Sequence, residues 1–286
     1  MKLSISNIAW GEDRDRAVYA LMRKYGYKGL EIAPSRVIHS NPYENLQTAS
    51  KWAKELETKT GFIVSSMQSI WYGKSKNIWG SAEERSLLTE YTEKAVAFAN
   101  AVKCGHLVFG CPRNRNMPEH IVISDHNSQN SSKCQSSSNG RNDQINTIIN
   151  FFRTIGDYAA RHDVVIGLEA NPKIYNTNFL NDTASAIDFI KTVDSSGIML
   201  NLDVGTIIEN EENLEVVDKN FSLVHHVHIS EPYLNVIEER RDLHKELRRI
   251  LDKHSYSGFV SIEMKKGSDL ETLERVMSYV ASVFGD

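Results

Sequence analysis

The sequence predicts a (β/α)8 TIM barrel that takes up residues 1–286 as a single domain. Three observations predict it. Strand-like and helix-like segments alternate from one end to the other, as parallel βα units do. Eight of each can be counted. Several apolar strand-like runs also carry a polar group near their C-terminal end: Glu169 in VVIGLEAN, Asp203 in IMLNLDVG, His228 in VHHVHISE and Glu263 in FVSIEMK. A closed parallel barrel gathers those ends on one rim.

In order, the first strand is expected over Leu3 to Ile8. A helix follows over Asp13 to Lys24, with Ala17, Leu21 and Met22 on one side and Gly26 closing it. The second strand, Gly29 to Pro34, has Glu31 at its centre and leads to a helix over Glu44 to Thr58. The third, Phe62 to Ser69, precedes a helix over Ala82 to Ala101, and the fourth is His106 to Pro112. The alternation then breaks. The stretch of about 120–143 is rich in Ser, Asn and Gln, with too little apolar surface to offset the entropy of ordering it. A mobile insertion is expected there, over the mouth of the barrel.

A helix over Ile145 to Arg161 resumes the pattern and leads into the fifth strand, Val164 to Ala170. A helix over Ala184 to Val193, with Asp182 or Thr183 as N-cap, precedes the sixth, Ile198 to Val204. A short acidic helix over Glu211 to Asp218 leads to the histidine strand, Val224 to Glu231. A charged helix over Glu238 to Lys253, the eighth strand over Phe259 to Met264 and an amphipathic helix over Leu270 to Val283 complete the count.

Composition narrows the classes. With 41% hydrophobic and 24% charged residues, the chain reads as an ordinary soluble globular protein. A formal charge of -4 supplies no general basic field, so nucleic acid is not an expected partner. The three cysteines, Cys104, Cys111 and Cys134, form no C-x-x-C pair, which argues against a disulfide framework or a thiolate zinc site and for a reducing compartment. The opening MKLSISNIAW is already strand-like and no run is long enough to span a bilayer, so no membrane association and a cytoplasmic location are expected.

Alternation puts Val224, His226, His228 and Ser230 on one strand face, Gly167 and Asn171 with Glu169, Asn201 and Gly205 with Asp203, and Ser261 and Lys265 with Glu263. A structural barrel would fill that face with Val, Ile and Leu, and a histidine pair alone could simply be hydrogen-bonded in a core. Several polar strand ends together favour one shared site. Glu169, Asp203, His228 and Glu263 make an oxygen-rich ligand set suited to Mn²⁺ first, with Mg²⁺, Co²⁺ or Zn²⁺ as alternatives. Glu169 and Glu263, on non-adjacent strands, could act as base and acid on either side of a substrate. Arg113 and Arg115 could hold a phosphate or carboxylate, or be ordinary surface groups. Glu31, Asn171, Lys173, Tyr175, His226 and Lys265 are further candidates for substrate contact, and Glu231 for a bond to a ligand histidine.

GLEAN around Glu169, NLDVGT around Asp203, HVHISE around His228 and SIEMK around Glu263 resemble the sugar phosphate isomerase/epimerase family with the xylose-isomerase-like barrel, as do SISNIAW and GLEIAP. The resemblance spans the chain outside the insertion. It implies that Glu169, Asp203, His228 and Glu263 hold a divalent metal. It also implies that Glu169 and Glu263 exchange a proton at the carbon beside a carbonyl of a sugar, sugar phosphate or related polyol. The ketose 3-epimerase branch has a histidine where this chain has Thr206, an arginine where it has Leu234 and a glutamate where it has Tyr175, so the substrate is expected to differ. A keto-polyol dehydratase on the same scaffold, a metal-dependent endonuclease and a sugar-binding protein without catalysis are the alternatives. Homo-oligomer formation stays open.

Overall fold

The computed structural model describes residues 1–119 and 138–285, the side chains of 138–142 excepted. Over 120–137 the Ser-, Asn- and Gln-rich insertion lies outside the described residues, so the expectation of mobility there is not addressed. Eight parallel strands close into a barrel in sequence order: β1 Lys2–Ser6, β2 Gly29–Ile32, β3 Ile63–Met67, β4 His106–Phe109, β5 Val165–Leu168, β6 Ile198–Asp203, β7 Val224–Ile229 and β8 Phe259–Ile262. Helices α1 Asp15–Lys24, α2 Pro34–Val37, α3 Leu46–Thr60, α4 Ala82–Ala101, α5 Ser138–Ala160, α6 Thr183–Val193, α7 Val204–Glu209, α8 Glu215–Lys219, α9 Arg241–Lys253 and α10 Leu270–Phe284 make up the connections.

The alternation of each strand sorts its side chains into two environments. Leu30 and Ile32, Leu107 and Phe109, Ile166 and Leu168, Leu200 and Leu202, Val227 and Ile229, and Val260 and Ile262 are all buried in the core shared with the helices. Each such side chain contributes about 1.5–3 kcal/mol. The other parity faces the barrel axis and is polar: Ser4, Glu31, Ser66, His106, Asn201, His226, His228 and Ser261 are all buried. Gly167 has a packing reason for its lack of a side chain, because a Cβ there would lie 2.3 Å from Cε1 of His106, whose ring fills that part of the interior.

The strands run to shorter C-terminal limits than the apolar runs suggest. Glu169 and Glu263 each stand one residue beyond a strand end, where side chains leave the packed interior for the rim. The sixth strand is followed directly by α7, a helix not foreseen from VGTIIE. Asp203 supplies its N-cap, its Oδ1 accepting from the backbone N–H of Thr206 at 2.6 Å. Of the two foreseen caps for α6, Asp182 takes the role, accepting from Ser185 N–H at 2.7 Å within a capping box. Asp182→Ala is therefore expected to cost about 1 kcal/mol, seen as a lower urea midpoint at unchanged m-value. An unchanged midpoint would contradict this.

Candidate metal centre

Register brings the four candidate ligands together. Asp203 is paired with His228 across β6 and β7, and His228 with Ser261 across β7 and β8, so these strands end level with one another. Glu169, Asp203, His228 and Glu263 each offer a ligand atom, and those atoms all lie within 4.8 Å of one another. The three carboxylates line a cavity of ≈ 180 Å³ together with Gln68, Asn171, Tyr175 and Leu234, and His228 lies buried behind them.

Each member is held by a named partner. Glu169 accepts from Asn171 Nδ2 at 2.9 Å and from Asn201 Nδ2 at 2.8 Å, one amide to each oxygen. Glu263 accepts from Gln68 Nε2 at 3.0 Å. The second oxygen of Asp203 accepts from the Ser230 hydroxyl at 2.5 Å, so the residue that starts α7 is also fixed toward the cluster. His228 is fully buried. Its Nε2 lies 2.8 Å from Oε2 of Glu31, while its Nδ1 lies 3.2 Å from Glu169 and 3.1 Å from Glu263. Glu31 in turn accepts from Ser66 at 2.6 Å and Gln68 at 3.1 Å.

The donor set fits a divalent cation on its own chemistry. A carboxylate at Nε2 fixes the N–H there and turns the Nδ1 lone pair toward the carboxylate oxygens, an arrangement that repels itself unless a proton or a metal ion stands between. Burial and the neighbouring Glu169 push the Asp203 carboxyl up to about 6. Burial pushes Glu263 up to about 7; His228 pulls it down, while Glu169 and Glu31 add to the rise. Burial disfavours a charged His228, yet Glu31 and Glu263 hold its imidazolium well above the usual range. The cluster thus needs positive charge, which a hard cation with oxygen ligands and one imidazole supplies. Glu31, His226 and His228 form a second group of the right size. It is not an independent site, because His228 would have to bind through both ring nitrogens at once.

The remaining candidates divide. Asn171 and Tyr175 line the cavity, the Tyr175 hydroxyl accepting from the backbone N–H of Tyr233 at 2.9 Å. Arg113 is exposed and lines an adjoining cavity. Arg115 is a correction: it is fully buried, with Nη1 donating to the carbonyl of Glu169 at 2.8 Å and Nη2 to that of Leu180 at 3.3 Å, so it braces the backbone of Glu169 and is shut off from the cavity. Glu31 and His226 are corrections of the same kind. Glu31 has no exposed surface and is occupied by His228, whereas His226 is stacked on His106 at 4.7 Å inside the barrel.

Lys265 is also misplaced by the sequence reading. The strand ends at Ile262, so alternation no longer applies, and its Nζ donates to Asn235 at the surface. Lys173 opens a 3-10 turn, is exposed and does not line the cavity. Glu231 takes a bidentate pair with Arg240, at 2.8 Å to each oxygen, in place of a ligand histidine. Gln68 was missed, although its signal matches that of Glu169: a polar side chain closing an apolar strand.

Residues 19–282 match the sequence model of the xylose isomerase-like TIM barrel family. The chain belongs to that family. Among solved structures, it resembles the 3-keto-D-glucoside 4-epimerase YcjR from E. coli at 18% identity and a TM-score of 0.72, covering 99% of each chain. It resembles D-psicose 3-epimerase from Clostridium cellulolyticum H10 at 16% identity and a TM-score of 0.73, covering 100% of this chain and 98% of that one. An AP endonuclease, family 2, from Brucella melitensis is similar at 17% identity and a TM-score of 0.68, with 99% of each chain covered. Likeness at these identities establishes the barrel, and the spread of named activities leaves the chemistry to the site. No curated protein matches the sequence significantly. No helix among the described residues is long and apolar enough to cross a membrane.

Proposed function

We propose that the protein is a divalent-metal-dependent isomerase or epimerase of a small carbohydrate, a sugar, sugar phosphate or related polyol, working by proton exchange at the carbon next to a carbonyl. The observation that carries this reading is the convergence of Glu169, Asp203, His228 and Glu263 within 4.8 Å, the three carboxylates lining a small cavity. Those residues would hold the cation, with Mn²⁺ favoured and Mg²⁺, Co²⁺ or Zn²⁺ as alternatives. When bound, it would supply stabilisation of the negative charge that develops on substrate oxygen.

The chain's own groups do the rest. Glu169 and Glu263, on β5 and β8 ends, approach the cavity from different sides, one to take the proton from carbon and the other to return one. Asn171 and Asn201 fix the Glu169 carboxylate and Gln68 that of Glu263, so neither has to be ordered during the reaction. Asn171 and Tyr175 would contact the substrate hydroxyls. Leu234 presents an apolar wall instead of a charge. The same reading includes a reducing, cytoplasmic setting.

The test is exchange of substrate carbon-bound hydrogen with deuterated water across a panel of ketoses and their phosphates, with metal content measured on the same sample. Exchange that is lost on chelation and restored by Mn²⁺ is expected. Absence of both metal binding and exchange would remove the proposal, and loss of water from the product would turn it into a dehydratase.

A further inference from the structure

The cavity at the cluster adjoins a second one of ≈ 800 Å³, the two sharing Ser69, Cys111 and Pro112 as lining residues. Their linings are opposite in charge. The smaller contains Glu169, Asp203 and Glu263, whereas the larger contains Lys74 and Arg113 and no acidic residue. Two other cations in the loops at this end of the barrel are paired: Lys76, two residues from Lys74, lies 3.4 Å from Glu84, and Arg36 lies 2.6 Å from Asp15. Arg113 makes no ion pair or side-chain hydrogen bond among the described residues. Lys74 has only the face of Tyr91, 3.8 Å from its Nζ, which leaves its charge uncompensated.

The two cations stand on a braced frame. Buried Asn114, next to Arg113, donates through Nδ2 to the carbonyls of Lys74 at 3.0 Å and Lys76 at 2.7 Å, and its own carbonyl accepts from Ile78 N–H at 2.9 Å. The loops after β3 and β4, which bring Lys74 and Arg113 to the lining of the cavity, are therefore tied together.

From this we propose that the substrate carries an oxyanion, a phosphate or a carboxylate, on the part remote from its reacting carbonyl, and that Arg113 and Lys74 bind it. The inference rests on the carbohydrate reading above and narrows it to acidic or phosphorylated sugars. A guanidinium offers two parallel N–H donors to such a group and an ammonium adds a point charge. The carboxylates at the other end repel the same anion, so the charge distribution also fixes which end of the substrate enters first.

The test has a binding arm and a reaction arm. Inorganic phosphate, a ketohexose 6-phosphate, a keto-uronate and the neutral ketohexose are titrated calorimetrically into wild-type protein, Arg113→Ala and Lys74→Ala. Phosphate is expected to bind the wild type and to bind either variant about tenfold more weakly. Whether the 6-phosphate or the uronate binds more tightly identifies the source of the oxyanion. In the deuterium-exchange assay the preferred anionic sugar is expected to exceed the neutral one roughly 100-fold in kcat/KM, and Arg113→Ala to bring that ratio toward one. Arg113→Lys should restore part of it. Phosphate binding that is absent, or equal in wild type and variants, overturns the anion site even if exchange proceeds. Phosphate binding lost in the variants with no exchange on any sugar upholds the anion site and removes the reaction assigned above.

Discussion

Replacing Glu169 or Glu263 by Gln is expected to lower solvent-deuterium exchange into substrate roughly 10³-fold in kcat, the scale of one general acid or base group. The substitution keeps shape and can keep a ligand oxygen, so its effect falls mainly on the proton. For Glu169 the neighbours sharpen the outcome. Both carboxylate oxygens accept from amide N–H groups, of Asn171 and Asn201, and an amide at 169 would set one NH2 against another. Because both glutamates also belong to the ligand cluster, metal content is measured in parallel. A variant that retains the metal and loses exchange isolates the proton role. Asp203→Asn is the control, since Asp203 is assigned to the cluster and to capping α7 without proton transfer: its loss of activity should follow its loss of metal and be recovered at high metal concentration. Wild-type exchange in metal-loaded Glu169→Gln and Glu263→Gln would strip both residues of the assigned part.

Both glutamates stand out in the sequence for a physical reason. A charged residue at the end of an apolar strand is costly to bury, so Glu169, Asp203 and Glu263 stood out against their surroundings, and closure of a parallel barrel required their convergence. The long helices were legible from periodicity, with Ala82–Ala101 matching residue for residue. What stayed hidden depended on contacts distant in sequence. Arg115 sits in a loop, where an arginine is ordinarily exposed; only the carbonyls of Glu169 and Leu180 converging on it explain its burial. Helix α7 opens on Val, Gly and Thr, poor helix formers, and exists because Asp203 caps it. Lys265 was carried inward by extending an alternation beyond the point where the backbone leaves the sheet. Lys74 had no local signal at all, since its environment is made by Asn114 from the next loop.

Glu31, read from the sequence as a substrate contact, instead bonds His228, so under the proposed metal role it should have a measurable effect on metal binding. Glu31→Gln is expected to weaken Mn²⁺ binding roughly 10–100-fold, as loss of a carboxylate behind a ligand histidine does. The carboxylate accepts only, so the proton must lie on Nε2 and the Nδ1 lone pair faces the cluster. A Gln at this position can also donate to Nε2. That would move the proton to Nδ1, where it occupies the space a cation needs. Ser66 and Gln68 both donate to Glu31, so one oxygen of a replacement amide would still be retained and the side chain should keep its place. Glu31→Asp separates charge from reach: it preserves the acceptor chemistry but shortens the side chain by one methylene, and should weaken the metal less than Gln if the tautomer decides. Equal Mn²⁺ affinity in wild type and Glu31→Gln, measured by competition with a chelator, would show that His228 is oriented by its packing in the barrel and not by this carboxylate.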